Sequence, residues 1–304
     1  MRIAVHDHQN KSFHLVRALL ELGHKIVYRP PADLLLLDQD SLPYYQRIID
    51  RFPGAPIIVY PHGALSWACW DAGWAVNERT IGQLVIGEGA AEAMRAYGYP
   101  RPVRAIGWFY GPRAPFVSRP LIDSVLFAPI HALGNGNMYP AASFFNTRTF
   151  DRLLDATAIS GLRLVVRALG DMNACGLWRE PSVTYIEGSA DVNCAKSTET
   201  IVVGYETFAY AAVARGEPTV MMGQDMAYWT GHGPGDYQKA RHWNAFRDHI
   251  RFPMDADQGD AQFLAETLLD ACRSDDEIQD WRSRFIGESM TAASLARALK
   301  ELMQ

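Results

Sequence analysis

The stretch TIVVGYETFAYAAVARGEPTVMM (200–222) reads as strand, tight turn, apolar helix, Gly-x-Pro and second strand. A strand that feeds a helix and returns to a strand makes a right-handed crossover between parallel neighbours. Gly204 permits the tight turn, and Tyr205, Glu206 and Thr207 fall at the helix N-terminus. Free backbone N–H groups and the helix dipole suit a phosphate there. The Thr207 hydroxyl adds a donor, whereas Glu206, being anionic, is suited to accept hydrogen bonds from ribose hydroxyls. The same residues would equally serve as helix caps.

The alternation extends in both directions. Upstream in the same half lie strands at 125–131, 162–169 and 183–188, with a helix over 147–158. Gly134-Asn135-Gly136-Asn137 follows the first of these strands, either as a plain turn or as a loop whose backbone can approach a diphosphate. Arg167 ends the next strand and is a candidate phosphate clamp. Helical stretches over 236–249, 260–273 and 289–303 close the chain. The first half repeats the pattern, with strands at 2–8, 25–30, 33–38, 56–63, 84–89 and 103–108 and helices at 11–24, 44–52 and 90–99. Pro-rich residues 109–122 lack periodicity and divide the two halves. The expected domains are 1–112 and 123–285, joined by a linker over 113–122, with a closing helix over 286–304 that can pack back on the N-terminal domain.

A chain of 304 residues exceeds one ordinary core, in keeping with two domains. No apolar run is long enough to span a bilayer, and the N-terminus reads directly as a strand rather than as a signal peptide, so a cytoplasmic location is expected. The four cysteines, Cys69, Cys175, Cys194 and Cys272, form no CxxC pair and are expected as buried free thiols. Residues 1–120 carry 13 Lys+Arg against 10 Asp+Glu, within a chain of net charge −5. Five arginines and no acid lie between Arg95 and Arg119. Such a run is either a solvated face or a site for an anion, for which Arg101 and Arg104 are the candidates.

In open parallel sheets, ligands sit at the carboxyl ends of strands. In the first half those ends carry His6-Asp7-His8 and His62-Gly63. A histidine there can accept a proton near neutral pH, and a neighbouring carboxylate can orient it or act as the base itself. His62, Asp7 and His8 are therefore the catalytic candidates. Asp38-Gln39-Asp40 has the spacing of a divalent-metal motif but is followed by Ser41 and Pro43, and reads as a loop start. No metal site is expected. Gly87-Glu88-Gly89 lacks the third glycine of the dinucleotide fingerprint. The tryptophans of 67–74 and the TGHGPGDY segment (230–237) are candidates for stacking a base or a sugar.

PHGALSWACWDAG (61–73) resembles the Trp-His-Gly segment of CDP-glycerol glycerophosphotransferases. VIGEGAAEAMRAYGYPRPVRAIGW (85–108), VLFAPIH (125–131) and GYETFAYAAVARGEPTVM (204–221) are similar to the segments that follow in that group. Non-hydrolysing UDP-GlcNAc 2-epimerases and other GT-B glycosyltransferases share parts of the pattern. The resemblance implies a GT-B fold of two Rossmann-like α/β domains, with the nucleotide in the C-terminal half and a base, His62, in the N-terminal half. It also implies a donor site lined by Tyr205, Glu206 and Thr207, to which the reading of the residues themselves adds Gly204 at the turn and Gly134, Asn135, Gly136 and Arg167 as candidate phosphate contacts. Pro61 stands where the group has tryptophan, and Glu206 where it has serine. These departures point away from a polyol-phosphate polymer and toward a sugar donor. The expected activity is transfer from a UDP- or CDP-linked sugar to a hydroxyl acceptor, without a permanently bound cofactor or metal. The acceptor could be an anionic polymer such as hydroxymethylated DNA. The alternatives are a CDP-glycerol-type transferase, an epimerase or a non-catalytic nucleotide-sugar binding protein.

Overall fold

The computed structural model describes residues 1–6, 12–38, 43–61, 76–96, 98–111, 113–119, 121–129, 133–134, 137–138, 140–168, 177–187, 199–203, 207–222, 251–254, 256, 259–273 and 276–304. They fall into two units. Unit 1 comprises Met1–Arg113 together with Arg282–Gln304, and unit 2 the described residues between them.

Unit 1 holds a six-stranded parallel sheet. Its strands are β1 (Arg2–His6), β2 (Lys25–Ile26), β3 (Leu34–Leu37), β4 (Ile57–Val59), β5 (Thr80–Val85) and β6 (Val103–Ala105), in the order β2-β1-β3-β4-β5-β6. Strands buried on both faces are continuously apolar, and all four leucines of β3 are fully buried. β5 begins earlier than the sequence suggests, because Thr80 and Gln83 are buried with it. Helix α1 (Phe13–Glu21) buries Leu15, Ala18 and Leu19 at helical spacing. It stops where the N–H groups of Gly23 and His24 bond back to the carbonyls of Leu20 and Leu19. Helix α2 (Pro43–Arg51) puts Tyr45, Ile48 and Ile49 on Leu35, Leu37, Ile57 and Val59. The carbonyls at and beyond its end are taken up by one guanidinium, since Arg79 donates to Ile49, Phe52 and Ala55. Helix α3 (Glu88–Ala96) precedes β6.

Unit 2 holds β7 (Ser124–Ala128), β10 (Arg163–Ala168), β11 (Thr184–Glu187), β12 (Glu199–Val203) and β13 (Thr219–Met221). They form one parallel sheet in the order β11-β10-β7-β12-β13. Helix α4 (Pro140–Ser160) joins β7 to β10, and α5 (Thr207–Ala214) joins β12 to β13. Helix α6 (Ala261–Asp270) is capped by the Asp260 carboxylate on the Phe263 N–H. Its Leu264 and Leu268 share a core with Phe150, Leu153 and Ala156 of α4. Between β7 and α4, β8 (Leu133–Gly134) pairs antiparallel with β9 (Asn137–Met138), Gly134 opposite Asn137. Gly134 is thus a ladder residue of a short ribbon rather than free loop backbone, as Asn-Gly between two strands would favour. The linker expected over 113–122 is bound within unit 2: Ala114 donates to the Ala214 carbonyl, Val117 to Gly216 and Arg119 to Cys272.

Helix α7 (Asp276–Phe285), which the sequence reading left out, carries the chain from unit 2 into unit 1. Helix α8 (Ala292–Leu302) then packs on α1, β5 and β6. A capping box formed by Thr291 and Ser294 starts it. The helix expected over 236–249 lies outside the described residues. No helix among the described residues is long and apolar enough to cross a membrane.

Candidate functional site

In unit 2 the chain starts at β7 and winds outward through β10 and β11 on one side and through β12 and β13 on the other. The reversal makes a crevice at the carboxyl ends of β7 and β12, where ligands bind in folds of this kind. Three of the donor-side residues read from the sequence, Gly134, Arg167 and Thr207, are among the described residues and stand near these strand ends. Arg167 is the penultimate residue of β10, beside β7, and is 5% exposed. Gly134 follows β7. Thr207 opens α5 directly beyond β12. Asn135, Gly136, Gly204, Tyr205 and Glu206 lie outside the described residues, as do the tryptophans of 67–74 and the segment 230–237.

The Gly-x-Pro element after α5 is a structural clamp. Gly216 and Glu217 donate to the carbonyls of Val213 and Ala212, closing the helix with Gly216 at φ +71. A Cβ on Gly216 would stand 2.0 Å from the Pro115 carbonyl oxygen, so the linker can lie against this turn only because residue 216 is glycine. The Glu217 carboxylate then takes Arg119 and, at 3.2 Å, Arg215, all three side chains being largely buried.

In unit 1 the reversal falls between β1 and β3. The flanking strand ends are tied together: the Tyr60 hydroxyl, just beyond β4, donates to the His6 carbonyl at 2.9 Å, and the Tyr110 hydroxyl donates to the Pro61 carbonyl. The His6 ring meets Tyr45 edge to face with centroids 5.8 Å apart. Asp7, His8 and His62 are outside the described residues. The described residues that lead into them, His6 and Pro61, stand at the ends of strands on either side of β3. Asp38, set aside in the sequence as a loop start, is 1% exposed immediately beyond β3. The described residues contain no cluster of His, Cys, Asp or Glu able to hold a metal ion.

The arginine run does not form a single basic patch. Arg95 pairs with Glu88 at 3.2 Å, Arg104 with Glu301 at 2.5 Å, Arg113 with Glu288 at 3.4 Å, and Arg119 with Glu217. Arg101 has no carboxylate partner among the described residues and precedes β6, the edge strand. Arg101 and Arg104 therefore lie at an edge strand that β4 and β5 separate from β3. Each of these carboxylate partners except Glu88 comes from beyond residue 200, so the spacing of the arginine run does not reveal the pairs. Burial first, and the Arg113 charge second, hold the Arg282 guanidinium below its usual range, with Glu288 acting in the opposite direction. Gly87-Glu88-Gly89 serves as a seat: added Cβ atoms would lie 2.2 Å from the Arg284 carbonyl oxygen and 2.8 Å from the Phe285 ring. Of the cysteines, Cys272 is a buried free thiol, and the others lie outside the described residues.

No protein-family model matches the chain, and no curated protein does. Among solved structures it is similar to the calicheamicin glycosyltransferase CalG4, at 12% identity and a TM-score of 0.52 over 99% of this chain and 98% of that one. It also aligns with the glycosyltransferase SnogD from Streptomyces nogalater (13% identity, TM-score 0.45, 99% of both chains). A third alignment is with the H444N variant of the wall teichoic acid polymerase TagF (9% identity, TM-score 0.49, 99% of this chain and 88% of that one). The likeness to CalG4 shows the fold. This chain has the two-sheet α/β fold of the GT-B glycosyltransferases.

Proposed function

We propose that the chain is a glycosyltransferase that moves a sugar from a nucleotide-sugar donor, UDP- or CDP-linked, to a hydroxyl acceptor in the cytoplasm. The observation that carries this reading is the strand order of unit 2. That order brings Arg167, the β8–β9 ribbon and the start of α5 to the carboxyl ends of three adjacent strands, β10, β7 and β12. A buried guanidinium and a helix N-terminus are a fitting pair for a diphosphate. Glu206, by its sequence position just before α5, would then take the ribose hydroxyls. His62 would deprotonate the acceptor, with Asp7 and His8 as the alternative bases at the neighbouring strand end. Transfer would proceed without a divalent metal, since positive helix termini and Arg167 can carry the leaving diphosphate. With most of the arginine run paired to carboxylates, a neutral hydroxyl acceptor has better support than a polyanion such as DNA.

A thermal-shift screen of UDP-, CDP-, GDP- and ADP-linked sugars tests the reading, because a ligand that binds only the folded chain raises its apparent stability. One nucleotide class should raise the melting temperature, and Arg167→Ala should abolish the shift. No shift with any donor at millimolar concentration would overturn the proposal. If EDTA abolishes transfer and magnesium restores it, the mechanism requires a metal, with Asp38 as the first ligand to test.

A further inference from the structure

We propose that unit 1 docks peripherally on a lipid surface rich in anionic headgroups, through the outward face of α1 and the residues just after β2. This surface uses none of the residues assigned above to donor or base, so it stands or falls independently of the transferase reading.

The first observation is a concentration of exposed apolar side chains. Of the eleven large apolar side chains exposed among the described residues, Met1, Phe13, Leu20 and Tyr28 fall within the first 28 residues. Phe13 is 68% exposed, Leu20 54% and Tyr28 79%. Phe13 and Leu20, seven residues apart, share one face of α1, with half-buried Val16 beside them. The core face of the same helix is the one that buries Leu15, Ala18 and Leu19. His14, Arg17 and Glu21 line the cleft beside α8. Val16 and Leu20 therefore lie on the other flank, toward β2, against which α1 also packs. β2 is the outermost strand of the sheet. Its ladder runs one residue further, through the Val27 N–H to the Ile3 carbonyl, and Tyr28 and Arg29 follow at once. An apolar patch exposed in this way marks an interaction surface.

The second observation is charge. Residues 1–30 hold five Lys+Arg and two Asp+Glu, whereas residues 31–120 hold eight of each. The whole positive excess of the first half thus sits in the stretch that carries the exposed apolar groups. The Glu21 carboxylate is taken by Arg17 at 3.0 Å. Lys25 and Arg29, both exposed, have no carboxylate in ion-pair reach among the described residues. They flank Tyr28 and leave the edge of the unit cationic.

These features favour a lipid surface over a protein strand. β2 contributes only two residues, a short rail for an added strand. Aromatic and aliphatic side chains standing out between cations match the headgroup boundary of a bilayer. There Phe13, Leu20 and Tyr28 can enter the acyl margin while Lys25 and Arg29 stay with the phosphates. The attachment is peripheral, with α1 lying along the surface.

Co-sedimentation of the full-length protein with vesicles tests this. One set is phosphatidylcholine alone, and the other is equal parts phosphatidylcholine and phosphatidylglycerol. The protein should bind the anionic set, bind the neutral set many-fold more weakly, and be released as salt rises. Lys25→Glu combined with Arg29→Glu should weaken binding by about tenfold or more, as expected for cations near an anionic surface. Phe13→Glu combined with Tyr28→Glu should abolish it. All four positions are exposed, so both variants should keep the melting temperature of the parent. Leu121→Glu, at an exposed apolar residue of unit 2, should change nothing. Absence of binding to the anionic vesicles overturns the proposal. Equal binding to both vesicle sets, or equal binding by the parent and either double variant, also overturns it.

Discussion

At the scale of single residues, Arg119 and Glu217 form an ion pair whose side chains are 6% and 13% exposed. Removing one partner from such a pair leaves a buried charge without compensation, typically at a cost of about 3–5 kcal/mol. Glu217→Ala should therefore destabilise unit 2 by that order. Arg119→Met combined with Glu217→Leu should recover most of the loss. Urea denaturation of the three variants checks this, and a small effect of Glu217→Ala alone would show that Arg119 finds other partners. His62 follows directly on Pro61, whose carbonyl accepts from Tyr110. If His62 is the base, His62→Ala should slow single turnover by ~10²–10⁴-fold at saturating donor while donor affinity stays constant. A near-normal rate in His62→Ala beside a dead Asp7→Ala would move the role to the aspartate.

At the scale of elements, the glycines around α3 matter through what they admit. Gly87 and Gly89 leave room for Arg284 and Phe285 at the end of α7. Gly87→Ala would place a methyl 2.2 Å from the Arg284 carbonyl oxygen, so backbone must shift. Overpacking of this kind costs about 1–3 kcal/mol. The variant should melt earlier, and limited proteolysis should cut first near residues 284–290. An unchanged melting temperature would mean that α7 and α8 relax without penalty. Helix α7 itself shows how an element escapes a reading by hydropathy. In DEIQDWRSRF only Ile278, Trp281 and Phe285 are buried apolar residues, and the charged remainder lowers the average. Their spacing is helical, and the acids of its first turn and arginines of its last turn suit the helix dipole.

At the scale of the whole molecule, the last residues belong to the core of the first unit. Ile286, Leu295, Leu299 and Leu302 are at most 5% exposed. Each contributes roughly 1.5–3 kcal/mol on burial, and together that is comparable to the ~5–15 kcal/mol net stability of an ordinary domain. Deleting residues 286–304 should leave unit 1 unable to fold, seen as loss of soluble yield and of near-UV circular dichroism. A soluble, cooperatively melting deletion would contradict this.

What the sequence determined by itself was the class of fold and the places to look. Apolar runs such as Leu34–Leu37 and Val125–Phe127, each separated from the next by helical spacing, require parallel strands buried on both faces, and this is a local property of the chain. The ends of those runs named Arg167, Thr207 and the residues after His6 and Pro61. Only the tertiary structure decided the strand order, and with it which ends are adjacent. It alone showed that Asp38 is buried at such an end and that Gly134 belongs to a ribbon. It likewise determined that Arg104 is paired with Glu301, 197 residues away, and that Gly87 receives Arg284. These partners are far apart in the chain, and hydropathy and spacing carry no record of them. They are chosen by how the sheets are wound and by where the C-terminal helix returns.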